Sequence, residues 1–156
     1  MSRRGPALDL ELARRVRGWM PPRRELTRWV SAALGRRRAG ALALAVVGPG
    51  ESRRLNARYR GQDRPTNVLS FPAPPALRGA RALGDLIICP RVLEREARAQ
   101  AKPRRAHWAH LVVHGTLHLL GYDHVRGADA RRMERREVRV LRTLGFADPY
   151  QAPDGP

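Results

Sequence analysis

The sequence contains one cysteine, Cys89, so no disulfide can form within the chain. Its setting in the apolar run LIIC marks a buried, inert thiol without a chemical role. Lysine is equally scarce: Lys102 is the only one among 31 basic residues, the rest being arginine. Acidic residues number 14, which leaves a net charge of +17. A GC-rich genome would favour arginine over lysine, and that accounts for the ratio better than for the net charge. An excess of this size creates a positive potential that attracts polyanions and gives a salt-sensitive, sequence-independent affinity for phosphate backbones. No strongly amphipathic basic helix with bulky apolar residues stands out, so the expected partner is nucleic acid and not a membrane. The first thirty residues also lack an apolar run long enough for a signal or membrane segment, which makes a cytoplasmic protein the expectation.

What is present fits one ordinary domain. A chain of 156 residues with 42% apolar content can bury a core, and residues 1–150 are expected to form it, with 151–156 as a disordered tail. LDLEL (8–12) alternates as a half-buried strand does. From Pro22 the spacing turns helical, with Leu26, Trp29, Val30, Ala33 and Leu34 on one stripe up to Gly35. ALALAVV (41–47) predicts a second strand, and PGES after it opens a helix carrying Leu55, Asn56 and Tyr59 and stopped at Gly61. NVLSF (67–71) and LGDLIIC (83–89) are further strands, joined through PAPPALRGARA, which reads as a loop. Three helices are expected from about residues 90, 104 and 127, and the tail DPYQAPDGP is too polar and proline-rich for much structure. Strands first and helices later argue for an α/β or α+β fold, a small sheet covered by helices with the histidine-bearing helix at its centre.

That helix contains HGTLHLLGYDH (114–124). His114 and His118, four residues apart, project from one helix face, and Gly121 lets the chain leave the helix so that His124 can return to the same point. Three neutral nitrogen ligands leave one position open, which distinguishes a catalytic zinc site from a structural one. His110 and His107 are left outside this ligand set; His110, one turn before His114, either supports a ligand from behind or, as the commoner case, is satisfied by neighbours without a metal role. The spacing matches that of zinc peptidases except that Gly115 stands where the peptidase has its glutamate. Gly115 can neither accept a proton nor pass one to a leaving amine, which argues against peptide hydrolysis by the usual route. Phosphodiester hydrolysis asks instead for a metal and for cations around the phosphate, and this chain has abundant cations.

Together with LNARYRGQDRPTNVLSFP (55–72), LGDLIICP (83–90) and AHWAHLVVHG (106–115), this motif resembles the YbeY family of bacterial ribosomal-RNA maturation proteins over roughly residues 8–150. The resemblance implies a single-domain zincin-like mixed α/β fold holding one Zn²⁺ per chain through His114, His118 and His124. It implies a metal-dependent endoribonuclease acting on single-stranded RNA in small-subunit ribosomal-RNA 3′-end maturation and ribosome quality control. The implied partners are ribosomal RNA, the small ribosomal subunit and its assembly factors, with neither DNA nor membrane. It also places the family's functional arginine, in YRGQD, at Arg60, whose guanidinium can pair bidentately with phosphate. The nucleophile stays open between a hydroxide activated by the metal and the RNA 2′-hydroxyl. Two positions depart from the pattern: Asn67 stands where many relatives have aspartate, and Arg131 and Arg132 where relatives often carry acids.

Ser70 and Asp85, polar residues within apolar strands, either line the metal cleft or satisfy buried backbone groups. Two rival functions remain, a metalloprotease-like hydrolase and a non-catalytic ribosome-assembly factor with a structural zinc closed by a fourth protein ligand.

Overall fold

The alternating and apolar segments form the strands expected of them. The computed structural model describes residues 8–37, 40–74, 76, 82–122 and 127–151. In it β1 (Leu8–Arg14), β2 (Gly40–Val46), β3 (Val68–Pro72) and β4 (Ala82–Ile88) make one mixed sheet in the order β1-β2-β4-β3. β1, β2 and β4 run parallel and β3 pairs antiparallel with β4 at the edge. Parallel neighbours need crossovers. Helix α1 (Arg23–Leu34) carries the chain from β1 to β2, and α2 (Pro49–Arg60) begins the longer path from β2 through β3 to β4. Much of the loop expected over PAPPALRGARA lies outside the described residues.

The register places Leu42, Leu44, Val46, Leu86 and Ile88 on one buried face, with Ser70 of β3 opposite Leu86. The α-helices that follow among the described residues are α3 (Pro90–Ala99), α4 (Arg104–Leu119) and α5 (Gly127–Thr143). The predicted α1 stripe of Leu26, Trp29, Val30, Ala33 and Leu34 is buried throughout, and Pro22 stands just ahead of the helix as its N-cap. α4 is the central element: it packs on β3, β4, α1, α3 and α5. Its sequence accounts for this, because Trp108, Leu111, Val112, Val113, Leu117 and Leu119 surround most of its circumference and all are buried.

Two glycines let α4 sit close to the sheet. Gly84, with φ +138°, lies beneath Leu119, where an added β-carbon would come within 2.9 Å of the leucine and 2.3 Å of the Phe71 carbonyl oxygen. Gly115 faces the same sheet from the helix side. None of the described helices is long and apolar enough to cross a membrane.

Candidate metal centre and nucleic-acid cleft

Because α4 is apolar almost all round, its one polar stripe is conspicuous. His110, His114 and His118 follow one another turn by turn, each partly exposed, along the floor of a cleft of about 1110 Å³. The helix then ends as its glycine requires. The Gly121 N–H donates to the His118 carbonyl and the Tyr122 N–H to the Leu117 carbonyl, with Gly121 at φ +96°. This two-bond ending satisfies the last carbonyls and turns the chain sharply away. Asp123 and His124, which the sequence expects to fold back toward the other histidines, lie outside the described residues.

Two of the histidines face one another through single nitrogen atoms. The Nε2 atoms of His114 and His118 are 3.1 Å apart. On its other edge, His114 Nδ1 lies 2.6 Å from Glu137 Oε1, and His110 Nε2 lies 2.8 Å from Glu137 Oε2. An ionised carboxylate can only accept, so both rings are the donors there and the neutral His114 ring has its lone pair on Nε2, toward His118. The Tyr150 hydroxyl donates to Glu137 Oε2 as well, at 2.5 Å, and its ring stands edge-on to His110. Burial would push the Glu137 carboxyl up, but the bonds from His110, His114 and Tyr150 prevail and hold it at about 2. Burial and the Glu137 charge push the Tyr150 phenol upward, so it remains a donor. His110, His114 and Glu137 each bring a ligand atom within 4.8 Å of the others, close enough to hold a metal.

Glu137 does not figure among the residues singled out from the sequence. Its signal was a carboxylate on the apolar stripe of α5, where Met133, Val140 and Leu141 are its buried neighbours. Tyr150 falls in the tail expected to hold little structure. The first part of that tail is in fact anchored, through the Tyr150 hydroxyl and through Lys102, whose Nζ donates to the Pro149 carbonyl at 2.6 Å. Polarity and proline content do not register a single aromatic whose hydroxyl finds a buried carboxylate.

Arg60 lines the same cleft. It occupies the last turn of α2, which Gly61 terminates in a left-handed conformation. The following loop is clamped back onto the helix: Arg53 bonds both oxygens of Asp63, the Asn56 amide donates to the Arg64 carbonyl, and the Ser52 hydroxyl both donates to the Thr66 carbonyl and accepts from its N–H. Held this way, Arg60 reaches across β3 to donate to the Ser70 carbonyl at 2.8 Å, with its guanidinium 5.4 Å from the centre of the Phe71 ring.

At the other end of the cleft, Asn67 donates to Glu96 at 2.9 Å and Glu96 takes a 3.1 Å bond from His107. Burial raises the Glu96 carboxyl, but these two donors bring it below its ordinary value. His107 is thus bonded to Glu96 through Nε2, while its buried Nδ1 has no partner among the described residues, and His110 belongs to the histidine and carboxylate cluster. Ser70 lines the cleft and its hydroxyl donates to the Gly115 carbonyl at 3.3 Å, while Asp85 is exposed.

Gly115 has a packing role that the peptidase comparison does not suggest. An added β-carbon there would lie 2.8 Å from Leu86 Cδ2 and 3.2 Å from Ser70 Oγ. A side chain at this position points into the sheet. Gly115→Glu and Gly115→Gln should therefore both destabilise the fold, by at least about 1–3 kcal/mol from overpacking, with the charged variant worse. Thermal unfolding of the two variants checks this; wild-type stability in either would contradict the contact.

Comparison with known proteins agrees with this architecture. The family described as Endoribonuclease YbeY matches residues 22–145. The Endoribonuclease YbeY of Alkalilimnicola ehrlichii is 57% identical over 154 residues, covering 94% of this chain and 93% of its own. Among solved structures, the solution structure of TM1509 from Thermotoga maritima superimposes with a TM-score of 0.55 at 23% identity, covering 92% of this chain and 99% of that one. That last likeness concerns the fold alone.

Proposed function

The chain belongs to the endoribonuclease YbeY family, and from that premise we propose that it cuts single-stranded RNA at a zinc centre held by His114, His118 and His124, with Arg60 binding the scissile phosphate. The observation that carries this reading is the approach of the two Nε2 atoms to 3.1 Å while Glu137 holds the far edge of His114. Two nitrogens bound to one tetrahedral zinc at about 2.0–2.1 Å would lie about 3.3 Å apart, so the pair needs almost no rearrangement to share an ion. A ring whose other nitrogen donates to a carboxylate is also the usual form of a zinc-bound histidine, and imidazole is a ligand type that suits zinc. On this reading His110 and Glu137 support the ligands and do not replace them.

When bound, the cation supplies Lewis acidity toward a phosphodiester and acidifies water near it. The chain's own residues do the remainder. Glu137 fixes the His114 ring and its tautomer, and with three donors around it, it is committed and is no general base. Arg60 keeps N–H groups beyond the one given to Ser70, and these can meet a phosphate oxygen and the charge that builds on it. The RNA strand would lie in the cleft that Arg60 and the histidines line. The substrate is ribosomal RNA, met in the cytoplasm on the small subunit with its assembly factors, and residues 1–150 act as one catalytic domain.

The test is direct. Purified protein should cut single-stranded RNA, lose that activity on chelation and regain it with zinc. Arg60→Ala should keep its metal and fold while cutting on the order of 10²–10³-fold more slowly, whereas Arg91→Ala, an exposed change on α3, should cost little. Equal losses in the two variants would reduce Arg60 to general surface charge, and chelator-resistant cutting would exclude the metal from the reaction.

A further inference from the structure

The arginines of this chain are not equivalent. Several are neutralised where they stand: Arg15 pairs with Glu51, Arg53 with Asp63, Arg104 with Glu94 and Arg105 with Glu25. Those of α5 differ. Arg131, Arg135, Arg139 and Arg142 are exposed, and no acidic side chain among the described residues forms an ion pair with them. Their spacing of four, four and three residues confines them to roughly 80° of the helix circumference, with about 6 Å of rise between the first neighbours. A row of cations with that step can follow successive phosphates along one strand. Glu134 and Asp148 share the groove these arginines line, so the cations outnumber the acids there.

The groove is also connected to the catalytic cleft. Tyr150 lines both. Its hydroxyl is tied to Glu137, yet the residue is 46% exposed, so an anchored aromatic ring stands where the two surfaces meet. An exposed ring held in place is the feature on which an unpaired base stacks, and stacking next to a basic groove is how single strands are bound without regard to sequence. Genome composition would scatter arginine without regard to face or counter-charge. It does not account for an unneutralised row leading to the cleft.

We propose that the α5 arginine row and the Tyr150 ring form a docking track for the part of a single-stranded RNA that extends beyond the cleft. This rests on the RNA reading above and adds a second, non-catalytic contact to it.

Binding of nuclease-resistant 2′-O-methyl oligouridines of about 6 and 24 nucleotides, followed by fluorescence anisotropy over a range of salt, tests it. For the wild-type protein, log affinity against log salt should be steeper for the 24-mer by about 2, since each phosphate contact contributes about 0.7 for a single strand. Arg131→Gln, Arg135→Gln and Arg139→Gln combined should weaken the 24-mer tenfold or more near 0.1 M salt and remove that extra slope, while the 6-mer weakens far less. Lysine at the same three positions should restore most of the affinity. Equal salt slopes for the two lengths in the wild type would overturn the proposal without any variant having to fold. So would a glutamine variant that keeps its 24-mer affinity, or one that loses both oligomers alike. If the cleft did not cut RNA at all, the length-dependent binding would still be found; if only the track were wrong, chelator-sensitive cutting would persist without it.

Discussion

His118→Ala should leave the protein folded but nearly free of bound metal, and RNA cutting should fall a thousandfold or more, which corresponds to about 4 kcal/mol in the barrier. The imidazole sits near the end of α4, partly exposed in the cleft, so its removal opens no sealed cavity in the core. What it removes is one of two facing nitrogens, and a site with fewer ligands holds its ion much less tightly. Elemental analysis of the purified variant, read beside its circular dichroism, separates loss of metal from loss of fold. The comparison with His110→Ala decides between two ways of using the same histidines. If the ion lies between His114 and His118, the His110 variant keeps most of it. If His110, His114 and Glu137 are themselves the ligands, their proximity being compatible with that, His118→Ala keeps its metal and His110→Ala does not.

The second large effect should come from Glu137, whose side chain is fully buried. Glu137→Ala would strand three donors, from His110, His114 and Tyr150, around an emptied space. Breaking a buried charged cluster by removing one partner typically costs about 3–5 kcal/mol, enough to unfold a domain of this size near its working temperature. Glu137→Gln is the milder probe. Its amide can accept at only one position and presents N–H groups to a donor at the other, so metal affinity should drop about 10–100-fold with the fold retained.

The same residue sets a pH dependence. Its folded-state value of about 2 lies below the ordinary 4.5, so the unfolded chain binds the proton more readily. The stability from Glu137 is complete above about pH 4.5 and is lost as pH falls toward 2. Denaturant unfolding between those limits, with chelator present so that metal release does not contribute, should show a steeper decline for the wild type than for Glu137→Gln. Parallel declines would mean that the carboxylate is not held by its donors in solution.

The order of elements and the faces of the helices could be read from the chain because they depend on local periodicity. The α1 stripe from Leu26 to Leu34 and the alternation of LDLEL are complete signals within a dozen residues. The same holds for His114 and His118, whose spacing is one helical turn, and for Gly121, whose exit conformation the structure displays. Arg60 was legible only through its motif. Nothing local distinguishes it from the other arginines, and its reach to Ser70 depends on a loop clamped by Ser52, Asn56 and Arg53. Glu137 required knowing that α5 crosses α4 at His114, 23 residues away in sequence. The histidine spacing presents Gly115 as a missing base, whereas its closeness to Leu86 exists only once helix and sheet have met. Ser70 and Asp85 looked alike as polar residues in apolar strands, and the pleat separates them: one side chain turns to the helix and the other to solvent.

The tie from Tyr150 to Glu137 also bears on the order in which the protein is made. Synthesis proceeds from the amino end, so Arg60 and both facing histidines emerge before the carboxylate that orients one of them, His114, and the phenol that completes the carboxylate's donors comes thirteen residues later still. A nascent chain halted just beyond His118 has the sheet strands and the ring pair but nothing to fix the tautomer of His114. The full arrangement of rings, carboxylate and phenol is therefore completed late in translation, after the strands that carry the cleft have been synthesised. A chain made in this order closes its histidine and carboxylate cluster only once the last helix and the segment up to Tyr150 have been added.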